Sequence, residues 1–346
     1  MTGGLSLATE IRTTDATIAL FNLQKQIERL EQQSTPGMTS HLGGELVDRL
    51  LLRGQMLGSI ADYERASAIG ERLGQEAFAD GLSFMVRART RATMHRFKEA
   101  LDDLDAAERC GHPVEALAVE RAAIDQAVGR YDEALALRRD ALERRADFES
   151  LAGLAVLEAE RGVVSEAERL FDESRARFRG VSPFGLAQLD FQRGHLWHGQ
   201  REWNRARPWY ESAVRRVPGY AAAENHLAEI EAAMGERESA MVRLRRLTET
   251  SDDPDHAAQL CQLLKQAGRL EESQWWRAQA AARYDELIAR HPAAFADHAA
   301  AFWLGAGAEP RRALPLARLN AEIRPTPRAQ RLLARALAVC ESGPPA

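Results

Sequence analysis

The hexapeptide Gly129-Arg130-Tyr131-Asp132-Glu133-Ala134 recurs at a fixed spacing along the chain. Looser copies are His95-Arg96-Phe97-Lys98-Glu99-Ala100 and Ala61-Asp62-Tyr63-Glu64-Arg65-Ala66, and the terminal alanines of the three copies are 34 residues apart. A fixed period of this length is typical of proteins in which each repeat is one supersecondary unit. One such unit is a poor core by itself, so consecutive units stack and bury their apolar faces together. The recurrence therefore predicts a solenoid.

The period and its residues resemble the tetratricopeptide repeat, a pair of antiparallel helices. That pattern has small residues at positions 8, 20 and 27, large ones at positions 4, 11, 17 and 24, and often proline at position 32. The fitted repeats are 47–80, 81–114, 115–148, 148–181, 187–220, 221–254, 254–287 and 294–327. The fifth repeat fits best, with Gly194, Trp197, Trp203, Ala206, Tyr210, Ala213 and Pro218 at the patterned positions. Small residues let the paired helices approach closely, and large ones fill the remaining space.

The predicted fold is therefore all-α, a right-handed α-solenoid of about eight helix pairs with an N-terminal helix and a C-terminal capping helix. We divide the chain into 1–46, an amphipathic helix and linker; 47–327, the solenoid; and 328–346, a capping helix and disordered tail. Spacers at 182–186 and 288–293 interrupt the register of the repeats. We expect the superhelix to change curvature there.

The N-terminal helix is predicted from its start and stop signals. Asp15 is a suitable N-cap, and Pro36-Gly37 should end the helix. Its apolar stripe consists of Leu20, Leu23, Ile27 and Leu30. The stripe has three possible roles: to cap the first repeats, to occupy the groove of the solenoid, or to dimerise. The sequence does not separate these alternatives, and the oligomeric state stays open.

Composition narrows the class of partner. The net charge of −5 provides no chain-wide basic field of the kind that nucleic acid requires, so we expect no nucleic-acid partner. Three widely spaced cysteines form neither a disulfide framework nor a CxxC metal site. No segment predicts a secretory signal or a membrane span. We therefore expect a cytoplasmic protein.

No catalytic motif is present, so the sequence favours a protein that is not an enzyme and needs no cofactor. A Walker A loop needs Gly-Lys, for example, and none of the three lysines follows a glycine. The resemblance implies instead that the first helix of each repeat lines a concave groove for a protein or peptide. The groove is apolar in the first four repeats and polar and rich in histidine in the last four. The positions predicted to face a partner are Leu51, Met85, Val86, Arg89, Val119, Phe191, His195, Asn225, His226, Glu229, Gln259, Gln262, His298 and Phe302.

One cluster in the groove suggests an alternative function. His195 and His198 are three residues apart on one predicted helix, and His226 and Glu229 are three apart on the next. Residues at this spacing share a helix face, so the four side chains should meet. Imidazoles and a carboxylate are ligands for a transition metal, the one cofactor that the sequence suggests. They also serve as hydrogen-bonding groups for a peptide, or have no specific role.

Overall fold

The structure is a computed structural model that describes residues 11–34, 38–76 and 79–341. In these ranges it contains eighteen helices and no strand, which confirms the predicted all-α solenoid. The helices are α1 (Ala16–Gln33), α2 (Ser40–Leu57), α3 (Ile60–Gln75), α4 (Gly81–Thr93), α5 (Phe97–Arg109), α6 (Val114–Ala127), α7 (Tyr131–Arg144), α8 (Phe148–Glu160), α9 (Val164–Arg177), α10 (Pro183–Gly199), α11 (Trp203–Arg216), α12 (Ala221–Ala233), α13 (Arg237–Thr250), α14 (Pro254–Gln266), α15 (Leu270–Arg290), α16 (Pro292–Leu304), α17 (Pro310–Ile323) and α18 (Pro327–Glu341).

Helices α2 to α17 form eight consecutive antiparallel pairs, and α18 follows as a single helix. The packing within the fifth pair, α10 and α11, follows the repeat pattern. A Cβ atom on Gly194 would lie 2.8 Å from the ring of Tyr210, so only glycine allows this approach. Ala206 and Ala213 are fully buried on the facing helix. None of the helices in the described ranges combines the length and the apolar character that crossing a bilayer requires.

The boundaries of some elements differ from the predicted ones. The first repeat begins at Ser40, not at residue 47, and the Thr39 side chain caps α2 by accepting from the Leu42 N–H at 3.3 Å. Both spacers are largely helical, because Pro183 begins α10 and Pro292 begins α16. Proline suits the first helical position, where no N–H is needed. The predicted helix stop at Pro36-Gly37 and the predicted tail at 342–346 lie outside the described residues.

Helix α1 packs against α2, as the capping alternative for the N-terminal helix expects. The Asp15 carboxylate accepts from the Thr17 N–H at 2.8 Å, which confirms the predicted N-cap. Leu23, Ile27 and Leu30 are buried in the same apolar cluster as α2. The segment before α1 is also held, because the Thr14 N–H donates to the Val181 carbonyl at 2.7 Å.

The superhelix closes on itself, and its second turn contacts its first. We call the line of contacts between the two turns the seam. It includes the Ile60 N–H donating to Asp252 at 2.6 Å, His95 Nδ1 with the Ala293 carbonyl at 3.2 Å, and Arg324 Nε donating to the Ala127 carbonyl at 3.2 Å. These pairs are 192, 198 and 197 residues apart, so one turn takes a nearly constant length of chain. The concave surface that the sequence predicted as a groove is consequently lined by both turns of the superhelix.

His95 makes the seam sensitive to pH. Burial, reinforced by the nearby charge of Arg324, lowers the pKa of His95 to about 4, despite the opposing effect of Asp297. An unfolded chain titrates histidine near pH 6.5. Between pH 4 and pH 6.5 the unfolded state binds more protons than the folded state. The contribution of the unprotonated His95 to stability is therefore complete above pH 6.5 and is lost as the pH falls toward 4. The loss approaches about 1.4 kcal/mol per pH unit for one such group. Urea denaturation at pH 7 and pH 4.5 measures it.

The matched variant is His95→Asn, which removes the titrating group and tolerates the left-handed backbone found here at a φ of 55°. Between pH 7 and pH 4.5 its free energy of unfolding should fall by about 2 kcal/mol less than that of the parent protein. The same pH dependence in the parent and in His95→Asn would show that His95 does not stay unprotonated in the folded chain over this pH range.

Candidate functional site

Two adjoining cavities of about 740 Å³ and 710 Å³ occupy the inside of the closed superhelix. We call them together the interior, the first being the α8 cavity and the second the α14 cavity. The α8 cavity is walled by α6, α7, α8 and α10, and the α14 cavity by α2, α12, α14 and α16. Both are lined by Gln55, His195, Arg324, Thr326, Arg328 and Arg331. The interior is therefore one continuous space that both turns of the superhelix line.

Helix α18 lines the interior as well as ending the chain of repeats. It packs against α16 and α17 through Ala329 and Ala336, the two residues of this helix that are fully buried. Arg328, Arg331 and Arg335 line the interior from this helix and are also exposed to solvent. The predicted capping helix is thus confirmed in its extent, but part of its surface forms a wall of the candidate site.

Amide side chains from several repeats meet in the interior. Gln188 on α10 donates to Gln55 on α2 at 2.5 Å, although the two residues are 133 positions apart. Gln259 donates to Glu229 at 3.0 Å. The Asn225 side chain is buried and its carbonyl oxygen contacts His256 Nδ1 at 2.8 Å. These groups give the interior a polar lining that can exchange its hydrogen bonds with those of a ligand.

His198, His226 and Glu229 form the most compact group of potential metal ligands, which we call the histidine cluster. One Glu229 carboxylate oxygen contacts His226 Nδ1 at 2.8 Å and His198 Nε2 at 3.2 Å. One donor atom from each residue lies within 4.8 Å of the other two. The fourth predicted member, His195, does not provide a donor within this range. Its ring instead lies 5.5 Å from that of His226, centroid to centroid.

The surroundings of the histidine cluster favour a neutral His198 beside an ionised Glu229. Burial lowers the pKa of His198, and it lowers that of His195 to about 4. Burial alone would raise the pKa of Glu229, but the hydrogen bond and charge of His226 outweigh it, so the pKa is lowered. His198 Nδ1 is buried without a hydrogen-bond partner. Neutral nitrogen and charged oxygen donors are the forms that bind transition metals.

Several of the predicted partner-facing residues come together in the interior. Phe191 lies 5.3 Å from the ring of Tyr220 and 5.7 Å from that of His226, centroid to centroid. His298 lines the same cavity as Asn225, His226, Glu229 and Gln259. The nearby charge of Asp297 raises the pKa of His298. The polar half of the predicted surface is therefore a real cluster of neighbouring side chains.

The apolar half of the predicted surface does not form one continuous groove. Met85 and Val86 are buried in core clusters because consecutive first helices pack directly on one another there. Leu51 is half-buried against the core. Val119 is exposed but lines a separate groove beside α7.

Three more of the residues that were predicted to face a partner do not line the interior. Arg89 is occupied by ion pairs with Asp48 and Glu120. Phe302 is buried against Tyr284, so its predicted role is wrong. Gln262 is exposed and does not line the interior.

The arginines of the interior were missed by the sequence analysis. Arg328, Arg331 and Arg335 follow one another at intervals of three and four residues, which places them on one face of α18. That spacing was visible in the sequence. A capping helix is expected to have a polar outer face, and the three arginines are indeed exposed to solvent, so their spacing alone did not indicate that they also line the interior.

A comparison with protein-family models found no match, and neither did a comparison with curated proteins. Solved structures do match. A human IFIT1 dimer with PPP-AAAA is 17% identical, with 94% of this chain and 79% of that chain covered and a TM-score of 0.55. Yeast Tom70 is 15% identical, with 77% and 55% covered and a TM-score of 0.50. TTC0263, a thermophilic TPR protein of Thermus thermophilus, is 26% identical, with 52% and 98% covered and a TM-score of 0.40.

Proposed function

Because the chain has the tetratricopeptide-repeat solenoid fold, we propose that it is a scaffold that binds a segment of another protein inside its closed superhelix. The observation that carries this proposal is the interior, whose two cavities of about 740 Å³ and 710 Å³ join into one space. Binding sites are usually concave spaces of about 300 to 1,000 Å³ with a few well-placed polar groups. A short extended segment is the ligand shape that such a continuous concave space suits.

The lining supports a peptide ligand. Gln55, Gln188 and Gln259 offer donors and acceptors in pairs, as the main chain of an extended segment requires. Phe191 and Tyr220 add an apolar surface beside them. Since these groups belong to helices of both turns, a bound segment would touch repeats that are far apart in sequence.

A photo-crosslinking amino acid tests this proposal. Introduced at Gln188, which lines the interior, it should capture one defined partner in cells, and mass spectrometry should locate the adduct on a single segment of that partner. Val242 is the matched external position, because it is exposed on α13 and does not line the interior. Capture at Val242 without capture at Gln188 would show that the partner binds the outer surface.

A second candidate function is metal binding at the histidine cluster. The observation that favours it is the convergence of one donor atom each from His198, His226 and Glu229 within 4.8 Å. Three protein ligands with an open fourth position are typical of a catalytic or transport centre for zinc. This centre would lie beside the proposed peptide site, so the two functions are compatible.

A further inference from the structure

We infer that the interior selects a segment with acidic side chains at one end, which bind Arg138, Arg328 and Arg331. This inference rests on the proposed function, because it assumes a peptide in the interior. It adds the chemical class of the partner segment and the direction in which that segment lies.

The three arginines line the same α8 cavity, although they come from distant parts of the chain. Arg138 projects from α7, and Arg328 and Arg331 project from α18. Among the described residues, none of the three has a carboxylate within 4 Å. Arg138 donates to Gln126 at 2.8 Å, but its Nε is buried without a partner. A buried guanidinium donor without an acceptor is costly, and a ligand oxygen would satisfy it.

The charge of the α8 cavity is not balanced from within. Its carboxylates are Glu149 and Glu160, against Arg138, Arg324, Arg328 and Arg331. Burial raises the pKa of Glu160, so this carboxylate accepts a proton more readily than an exposed one. A cleft with walls of low dielectric focuses such an excess of positive charge on its contents. Guanidinium groups bind carboxylates through paired hydrogen bonds, so an acidic side chain is the complementary ligand group.

The α14 cavity lacks this excess of positive charge, and this gives the ligand a direction. Asp253, Asp255, Asp297 and Glu229 line it, against Arg335 and the three arginines that it shares with the α8 cavity. A segment that extends through both cavities would therefore place acidic residues at the Arg138 end, where positive charge is in excess, and neutral or basic residues near the aspartates. A nucleic acid has a phosphate at every step, so part of its backbone would face these carboxylates. The carboxylates of the α14 cavity therefore favour a peptide over a polyanion such as a nucleic acid.

Fluorescence anisotropy with labelled peptides tests the inference on the full chain. The probes are a short peptide with glutamates at one end and its Glu→Gln counterpart, with a 5′-triphosphate oligoadenylate as a third probe. The acidic peptide should bind at least about tenfold more tightly than its Gln counterpart. The double variant Arg328→Gln/Arg331→Gln should lose this preference. The control Arg215→Gln/Arg237→Gln removes two exposed arginines outside the interior and should keep it.

The possible results separate the inference from the proposed function. Equal binding of both peptides, unchanged in the double variant, would overturn the acidic preference and leave the scaffold in place. Tighter binding of the oligoadenylate than of the acidic peptide would overturn the assignment to a peptide. If neither peptide binds, the inference fails, and the crosslinking result at Gln188 then decides whether the scaffold function fails with it. Circular dichroism of each variant verifies that it is folded.

Discussion

Replacing Asp190 with alanine is expected to lower the free energy of unfolding by about 3 to 5 kcal/mol. Asp190 lies on α10 and is completely buried. Its carboxylate accepts from Arg175 on α9, from Arg216 at 3.0 Å and from Ser212 at 2.7 Å. Without the carboxylate, two largely buried guanidinium groups lose their counter-ion. A buried charge that loses its partner is far more costly than the intact pair is favourable.

The position of Asp190 extends this effect beyond one repeat. Arg216 also donates to the Ile11 carbonyl at 3.2 Å, so the same network holds the segment that precedes α1. Urea denaturation of the full chain measures the loss. Asp172→Ala is the control, because Asp172 also pairs with a buried arginine, Arg193, but its own side chain is exposed. An exposed carboxylate contributes about 0 to 1 kcal/mol. Similar losses in both variants would refute the role assigned to the buried network.

The helix pairs could be predicted from the sequence because they depend on local periodicity. Gly194, Ala206 and Tyr210 lie where the 34-residue pattern puts them, since close approach of two adjacent helices needs small residues at fixed positions. The start of α2 at Ser40 was missed for a related reason. The pattern fixes the middle of each repeat, whereas helix ends depend on capping groups such as Thr39.

The closure of the superhelix could not be predicted in the same way. Contacts such as that between Ile60 and Asp252 join residues 192 positions apart. Whether they meet depends on the rotation between successive repeats, and small differences in rotation accumulate over a whole turn. The interior, the seam and the place of α18 all follow from that accumulated geometry. The sequence therefore predicted which residues lie on the first helix of each repeat. It did not predict which distant helices those residues contact.

The histidine cluster shows both the strength and the limit of spacing arguments. His226 and Glu229 do share one helix face, and their side chains are in contact. His198 reaches the same carboxylate from the preceding repeat. His195 also satisfies the spacing rule, yet its ring is directed toward Phe191 and the shared part of the interior. Spacing predicts the face of a helix, and the rotamer decides which atom reaches the site.

Zinc is expected to bind the chain at a ratio of one ion per molecule, with His198, His226 and Glu229 as ligands. In a tetrahedral zinc site with bonds of about 2.0 to 2.3 Å, neighbouring donor atoms are only slightly farther apart than hydrogen-bonded atoms. The contacts of Glu229 with His226 at 2.8 Å and with His198 at 3.2 Å are already near that separation. An ion would therefore replace these hydrogen bonds with little movement. Binding should weaken in acid, because protons compete for the imidazoles.

Calorimetric titration of chelator-treated, untagged protein with zinc measures this binding. His226→Ala removes one of three ligands and should weaken zinc binding by at least about 100-fold, which corresponds to about 2.7 kcal/mol. His195→Ala is the critical control, because His195 is a close neighbour that provides no donor within range of the other three residues, so it should change the affinity little. Zinc at 100 times its dissociation constant should also stabilise the parent by about 2.7 kcal/mol. Equal losses in His195→Ala and His226→Ala would contradict a three-ligand centre, and a parent that binds no zinc would leave the peptide scaffold as the function of the interior.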